Sequence, residues 1–138
     1  MKRCIVGGVT VLVLCLSACS LGPTSNVTGL WGGRGVSLDA RSADVQLQFT
    51  CSGAVSPELS LAGDGHFEGT AHVTAVSWAG PAPTILRLSG TLSGDVMSLS
   101  VATLWLPSGG QADTIITRQA YTLRLGAAPD FSGYGCLL

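Results

Sequence analysis

The chain has 138 residues, a formal net charge of −1 and only 11% charged residues, and its one lysine is Lys2. After the first nineteen residues the basic side chains are Arg34, Arg41, Arg87, Arg118 and Arg124, with no cluster able to neutralise a row of phosphates. That argues against nucleic acid as a partner, and the lack of lysine excludes Schiff-base chemistry. The remaining length suits one domain around one core.

The N-terminus reads as a leader. Met1-Lys2-Arg3 is a short positive patch, and Cys4 to Leu16 carries no charge. That run fits the apolar region of a helical signal peptide and falls short of the about 20 residues a relaxed transmembrane helix needs. It ends in Leu16-Ser17-Ala18-Cys19, which resembles the bacterial lipobox, in which an apolar residue and two small residues precede a cysteine that is lipidated and becomes the new N-terminus. The resemblance implies cleavage after residue 18, a diacylglyceryl thioether on Cys19 and acylation (palmitate or a similar chain) of its freed amine. An ordinary secreted protein cut after Ala18 is the alternative. Two or three acyl chains, at about 0.8 kcal/mol per buried methylene, anchor stably. Ser20 follows the cysteine, so resemblance to Gram-negative sorting rules implies a cell-envelope lipoprotein held at the outer membrane, if the source is Gram-negative. Residues 19–28 then read as a flexible lipidated tether and 29–138 as the domain.

Two cysteines remain in that domain, Cys51 and Cys136. In an oxidising compartment such a pair is most simply one disulfide, and two isolated cysteines make a poor metal site. The bond would close a loop of about 85 residues, for which chain entropy predicts about 4 to 5 kcal/mol.

From here to the C-terminus the periodicity is that of strands. Leu30–Ala40 is a first, glycine-dense strand, with glycines that would let a barrel bend. In Val45-Gln46-Leu47-Gln48-Phe49-Thr50-Cys51 every odd position is apolar, so one face is buried and the other wet. Leu59 and Leu61 continue the pattern. Phe67, Ala71, Val73 and Ala75 then oppose His66, Glu68, Thr70, His72 and Thr74. Leu86, Leu88 and Leu92 follow with Arg87 outward, and Met97, Leu99 and Val101 alternate with Ser98 and Ser100. Ile115, Tyr121, Leu123 and Leu125 form the inner face of a strand whose outer face holds Arg118 and Arg124. Gly133–Leu137 would be the last strand. Gly63-Asp64-Gly65 and Ser93-Gly94-Asp95 suit tight hairpins, whereas the prolines near 81–83 and 107 suit longer loops. About eight short strands at regular spacing predict an all-β fold, a small antiparallel up-and-down β-barrel, with a β-sandwich as the alternative.

Gly29-Leu30-Trp31 is similar to the Gly-x-Trp signature of lipocalins and avidins, and the resemblance implies that Trp31 plugs one barrel end. The C-terminal helix and tryptophan-packed arginine usual in lipocalins are not evident. A wider resemblance runs through Trp31-Gly32-Gly33, Gln48 to Gly53, Gly65 to Thr70, Ser89 to Leu99 and Cys136-Leu137. This order is similar to a group of small bacterial exported proteins of unknown activity that share a Trp-Gly-Gly start and a paired terminal cysteine. It implies the fold and the disulfide, and no activity. Many members have lysine before the last cysteine, where this chain has Gly135.

Catalytic chemistry finds little to use. His66, Glu68 and His72 share one strand face, but six residues of strand span about 20 Å, so both histidines cannot hold one ion. Zinc sites want at least three protein ligands, and the three read as surface polar residues. No serine sits in a nucleophile elbow, and Gly32-Gly33-Arg34-Gly35 lacks the lysine and strand–helix setting of a phosphate loop. The expectation is a protein that is not an enzyme and uses no cofactor or metal. Two binding roles remain. A carrier would hold a small apolar ligand among Phe49, Phe67, Leu88, Met97, Val101 and Tyr121, because eight strands sit at the size where a barrel is either filled or holds one small ligand. A protein-binding module, for example an inhibitor of an envelope-targeting hydrolase, would use Trp78, Trp105 and Leu106 near loops as partner contacts.

Overall fold

Each run of period-two alternation is a strand in the computed structural model, which describes residues 25–76, 85–105 and 114–133. In chain order these are β1 (Ser25–Asn26), β2 (Gly29–Gly33), β3 (Val36–Ala40), β4 (Asp44–Phe49), β5 (Ser52–Pro57), β6 (Ser60–Leu61), β7 (His66–Val76), β8 (Ile85–Ser93), β9 (Val96–Trp105) and β10 (Thr114–Leu125). The described residues contain no helix.

Eight of the strands follow one another antiparallel in the order β2, β3, β4, β5, β7, β8, β9, β10. The last then pairs with the first, Leu123 opposite Gly33, Arg124 opposite Gly32 and Leu125 opposite Trp31. The sheet closes on itself, so the fold is an up-and-down barrel and not a sandwich. The two shortest strands, β1 and β6, pair with each other as a ribbon appended to β7.

The count of eight agrees with the sequence reading, but the members differ: the strand expected at Leu59 and Leu61 is β6, outside the closed ring. Leu30–Ala40 is a hairpin, β2 and β3, turned at Arg34-Gly35, where Gly35 takes φ 76°. Gly tolerates that left-handed conformation because it has no Cβ to clash. Strand β5 has no counterpart in the sequence reading, because its buried positions are Gly53, Ala54 and Ser56 while Val55 is half-buried. An apolar alternation is therefore missing. The buried Ser56 hydroxyl donates to the Pro57 carbonyl at 3.0 Å. The expected strand at Gly133–Leu137 and the proline loops lie largely or wholly outside the described residues. Both tight turns are present, with Gly65 at φ 82° and Gly94 at φ 60°. The fold also starts before residue 29: Val27 is 2% exposed and its N–H donates to the Leu59 carbonyl at 2.8 Å, so 25–28 belong to the barrel and not to the tether.

The Trp-Gly-Gly start builds the seam. A Cβ on Gly32 would stand 2.1 Å from the Ala127 carbonyl oxygen, and one on Gly33 would stand 2.4 Å from that of Thr122. Real Cβ atoms do not approach so closely, so glycine at these positions lets β10 and the chain that follows it lie against β2. That chain continues as a clasp: Gly35 N–H donates to the Asp130 carbonyl at 2.7 Å and Asp130 N–H to the Gly33 carbonyl at 3.0 Å. Leu125 is 49% exposed, against the expectation of an inner residue. It lies at the end of the ladder, where a Cβ on Gly29 would touch its Cδ1 at 2.7 Å, so it covers Gly29 rather than entering the core.

Candidate functional site

The interior is the first place to look for a ligand. Phe67, Leu88, Met97 and Val101 all face inward and are at most 4% exposed, Phe49 is 9% exposed, and Tyr121 packs half-buried on the same cluster. The expected lining residues are thus together, but they touch one another. Phe67 lies across Gly90 on the neighbouring strand, where a Cβ would come within 2.6 Å of its ring. Leu59 lies over Gly69 in the same way, with Cδ2 2.2 Å from an added Cβ. Large side chains from one strand occupy the volume that these glycines leave, which is how interiors reach close packing. At the upper end, the end of the Arg34–Gly35 turn, the Phe49 and Tyr121 rings meet with centroids 5.7 Å apart at 42°. Such tilted contact is a favourable aromatic geometry.

The opposite end holds Trp31, the residue expected as a plug. Trp31 is 2% exposed and its indole N–H donates to the Thr28 carbonyl at 2.8 Å. Val27 and Leu59, both nearly inaccessible, belong to the same buried cluster.

His66, Glu68 and His72 all face outward from β7 and are exposed. His66 Nε2 stands 3.6 Å from Glu68 Oε1, with side-chain exposures of 47% and 76%. Among the described residues no group of three His, Cys, Asp or Glu side chains is placed to hold a metal ion. Exposed pairs of this kind contribute at most about 1 kcal/mol.

Cross-strand register builds a second feature that single-strand reading misses. On the outside of the barrel, His66, Thr91, Ser98 and Thr122 form one row across β7 to β10, and Glu68, Ser89, Ser100 and Ala120 form the next. A third row holds Thr70, Arg87, Ala102 and Arg118. The first two rows, nearer the Trp31 end, are nearly all small hydroxyl or methyl side chains, and they floor a shallow trough of about 370 Å³. The outward positions of β8, β9 and β10 hold Arg87, Arg118 and Arg124 and no carboxylate. Arg124 leans toward Asp95 in the β8–β9 turn, at 3.9 Å. The sequence signal for this face was present, as the outer halves of three alternating strands, but only register puts the residues in rows.

Two carboxylates are held below their ordinary pKa. The Arg41 guanidinium donates to Asp39 at 2.6 and 2.8 Å, which favours the charged form. Ser132 donates through its hydroxyl and its N–H to Asp130, with Arg34 adding a smaller attraction. Cys51 is half-buried in the β4–β5 turn at the upper end. Its expected partner Cys136, the lipidation candidate Cys19, and the contact candidates Trp78 and Leu106 lie outside the described residues. Trp105 is the last residue of β9, and its side chain is likewise not described.

No family model, curated protein or solved structure matches this chain.

Proposed function

We propose that this protein is a lipid-anchored envelope lipoprotein and a non-catalytic binding module that works through its exterior. The observation that carries the reading is the packing of the core: Phe67 and Leu59 fill the space over Gly90 and Gly69, and with Leu88, Met97 and Val101 they form one buried cluster. A carrier of an apolar molecule would need that volume empty. The outward face of β7 to β10, with its small-residue trough and arginines, is the surface best suited to a partner.

The anchoring half of the proposal rests on the lipobox-like Leu16–Cys19 and on strand direction. The chain enters the barrel at Ser25–Thr28, beside Trp31, whereas β7, β9 and β4 end at the opposite pole. A membrane tether at residue 19 would therefore present the upper end outward. The expected Cys51–Cys136 bond is supported by the state of Cys51, whose sulfur is disulfide-bonded and does not titrate. It would tie the C-terminus to the upper end, where the Asp130 clasp already brings it.

The test is native mass spectrometry of the full chain exported in a bacterial host, alongside its Cys19→Ser variant. The reading expects an acylated mass for the parent, release of the variant from the membrane fraction, and no apolar adduct. A stoichiometric apolar small molecule retained by the folded domain would favour the carrier reading, in which Phe49, Phe67, Leu88, Met97, Val101 and Tyr121 surround it. Retention of the variant in the membrane would sink the anchor.

A further inference from the structure

We propose that the Trp31 pole of the barrel docks on a zwitterionic lipid surface through Leu30 and Leu125, and that its own carboxylates hold it off an anionic one. The inference rests on the reading of Cys19 as the lipid anchor, and adds which face meets the bilayer and which headgroups it accepts.

Chain length sets the geometry. Ser25 opens β1 and pairs with Leu61 beside this pole. From Cys19 to Ser25 there are six residue steps. An extended chain covers at most about 3.6 Å per residue, so Ser25 lies within about 22 Å of an acylated Cys19. So short a link makes contact between pole and bilayer intramolecular. Effective concentrations are then about millimolar, and a weak contact becomes populated.

Two exposed large apolar side chains stand at this pole. Leu30, the second residue of β2, points outward and is 38% exposed, and Leu125, the last of β10, is 49% exposed. The two are neighbours, since Leu125 pairs with Trp31 and the Gly126 N–H donates to the Leu30 carbonyl at 2.7 Å. The core does not need either of them. Trp31, Val27 and Leu59 seal this end behind them at no more than 2% exposure. Apolar area buried in the headgroup region is what holds a peripheral surface on a membrane, and charge then tunes it.

Charge selects the surface. At the strand ends that meet this pole lie Asp39, Asp44, Glu58, Asp64 and Asp95, against Arg41 and Arg124. Five carboxylates and two guanidiniums leave a formal charge of −3 with His66 neutral, and Ser20 to Thr24, which adjoin the pole in sequence, add none. Each guanidinium faces a carboxylate of the pole, Arg41 at 2.6 Å from Asp39 and Arg124 at 3.9 Å from Asp95, so the unbalanced charge is negative. An anionic leaflet repels such a surface within a Debye length, about 10 Å at 0.1 M salt. A zwitterionic surface has no net charge and leaves the leucines to decide.

The experiment uses the acylated protein exported in a bacterial host, its acyl mass confirmed first. It is placed in nanodiscs of phosphatidylcholine or of phosphatidylglycerol that carry a gadolinium-chelate lipid, and paramagnetic broadening is read amide by amide. In phosphatidylcholine the Leu30, Leu125 and Gly126 amides are expected to broaden, while Gly35, at the opposite pole, stays sharp. In phosphatidylglycerol at low salt the broadening should fall by about tenfold, because the surface acts on every net charge of the pole, and should recover as salt is added. Leu30→Gln and Leu125→Gln, both at exposed positions, should each weaken the phosphatidylcholine contact by about three- to fivefold. Asp44→Arg, which reverses one of the charges, should restore part of the contact in phosphatidylglycerol. Broadening at Gly35 as strong as at Leu125 overturns docking by this pole, as does a sharp spectrum at both poles of an acylated chain. Broadening indifferent to both leucine variants overturns it too. Equal or stronger broadening in phosphatidylglycerol overturns the selection by charge. Failure of the underlying reading has a separate signature, an unacylated mass, which removes the anchor and this inference with it.

Discussion

The two ends of this barrel are built on opposite terms. Around Trp31 the chain is closed by ladders on all sides and covered by Val27, Leu59 and the β1–β6 ribbon, with the indole N–H satisfied by Thr28. Around the upper half of β10 the same sheet carries on beyond its neighbour and stands with both faces in water. Burial at one end supplies stability. Exposure at the other leaves residues 115–120 lightly packed, and such regions lie at the low-stability end of a fold. The difference teaches that one sheet can be sealed where β2 meets β10 and lightly packed where β10 runs past the short β2–β3 hairpin.

The contrast is sharpest at Trp31. Replacing it with alanine removes a fully buried indole and leaves a cavity, and Trp31→Ala is expected to cost about 3 to 5 kcal/mol in urea unfolding. A cost below about 1 kcal/mol would mean that the ribbon seals this end without it. Next comes the packed interior. Gly90→Ala sets a methyl 2.1 Å from the Ser98 carbonyl oxygen and 2.6 Å from the Phe67 ring. Overpacking of this sort costs about 1 to 3 kcal/mol. Adding Phe67→Leu should restore part of the loss if the ring is the obstacle, and none of it if the Ser98 backbone is.

The smallest effect concerns the clasp between the two halves of the seam. Asp130 has its pKa depressed by the Ser132 hydroxyl and N–H, so its contribution to stability is present above the unfolded carboxylate value of about 3.9 and is lost as pH falls through the lower folded value. Exchange of the Gly35 amide, which donates to the Asp130 carbonyl, should therefore become relatively faster on acidification, and Asp130→Asn should flatten that dependence. An unchanged profile in the variant would assign the effect to another group, the Arg41-bonded Asp39 being the other depressed carboxylate.

Much of the fold was legible because half-buried strands write their burial into a period of two. Val45, Leu47 and Phe49, and again Met97, Leu99 and Val101, are inward as their alternation required. Strand β5 was illegible for the converse reason: Gly53, Ala54 and Ser56 are small where the core needs room, and small residues carry no hydropathy signal. The break at Arg34–Gly35 was hidden as well, since a glycine-dense stretch reads equally as a bending strand or as a turn. The candidate lining residues share one core cluster, but whether they surround a space or fill one depends on Gly69 and Gly90 meeting Leu59 and Phe67 across strands.

What the sequence determined by itself is local: which residues face inward along each strand, where Gly63–Gly65 and Gly94 turn the chain, and that Trp31 is followed by two residues without side chains. Periodicity and turn chemistry act over a few residues, so they survive in one dimension. Closure of the sheet, the packing of Leu59 and Phe67 over Gly69 and Gly90, the rows of small side chains and arginines outside, and the exposed stretch of β10 came only from the tertiary structure. Each depends on register between strands far apart in the chain, and register is fixed by pairing and packing rather than by any one segment.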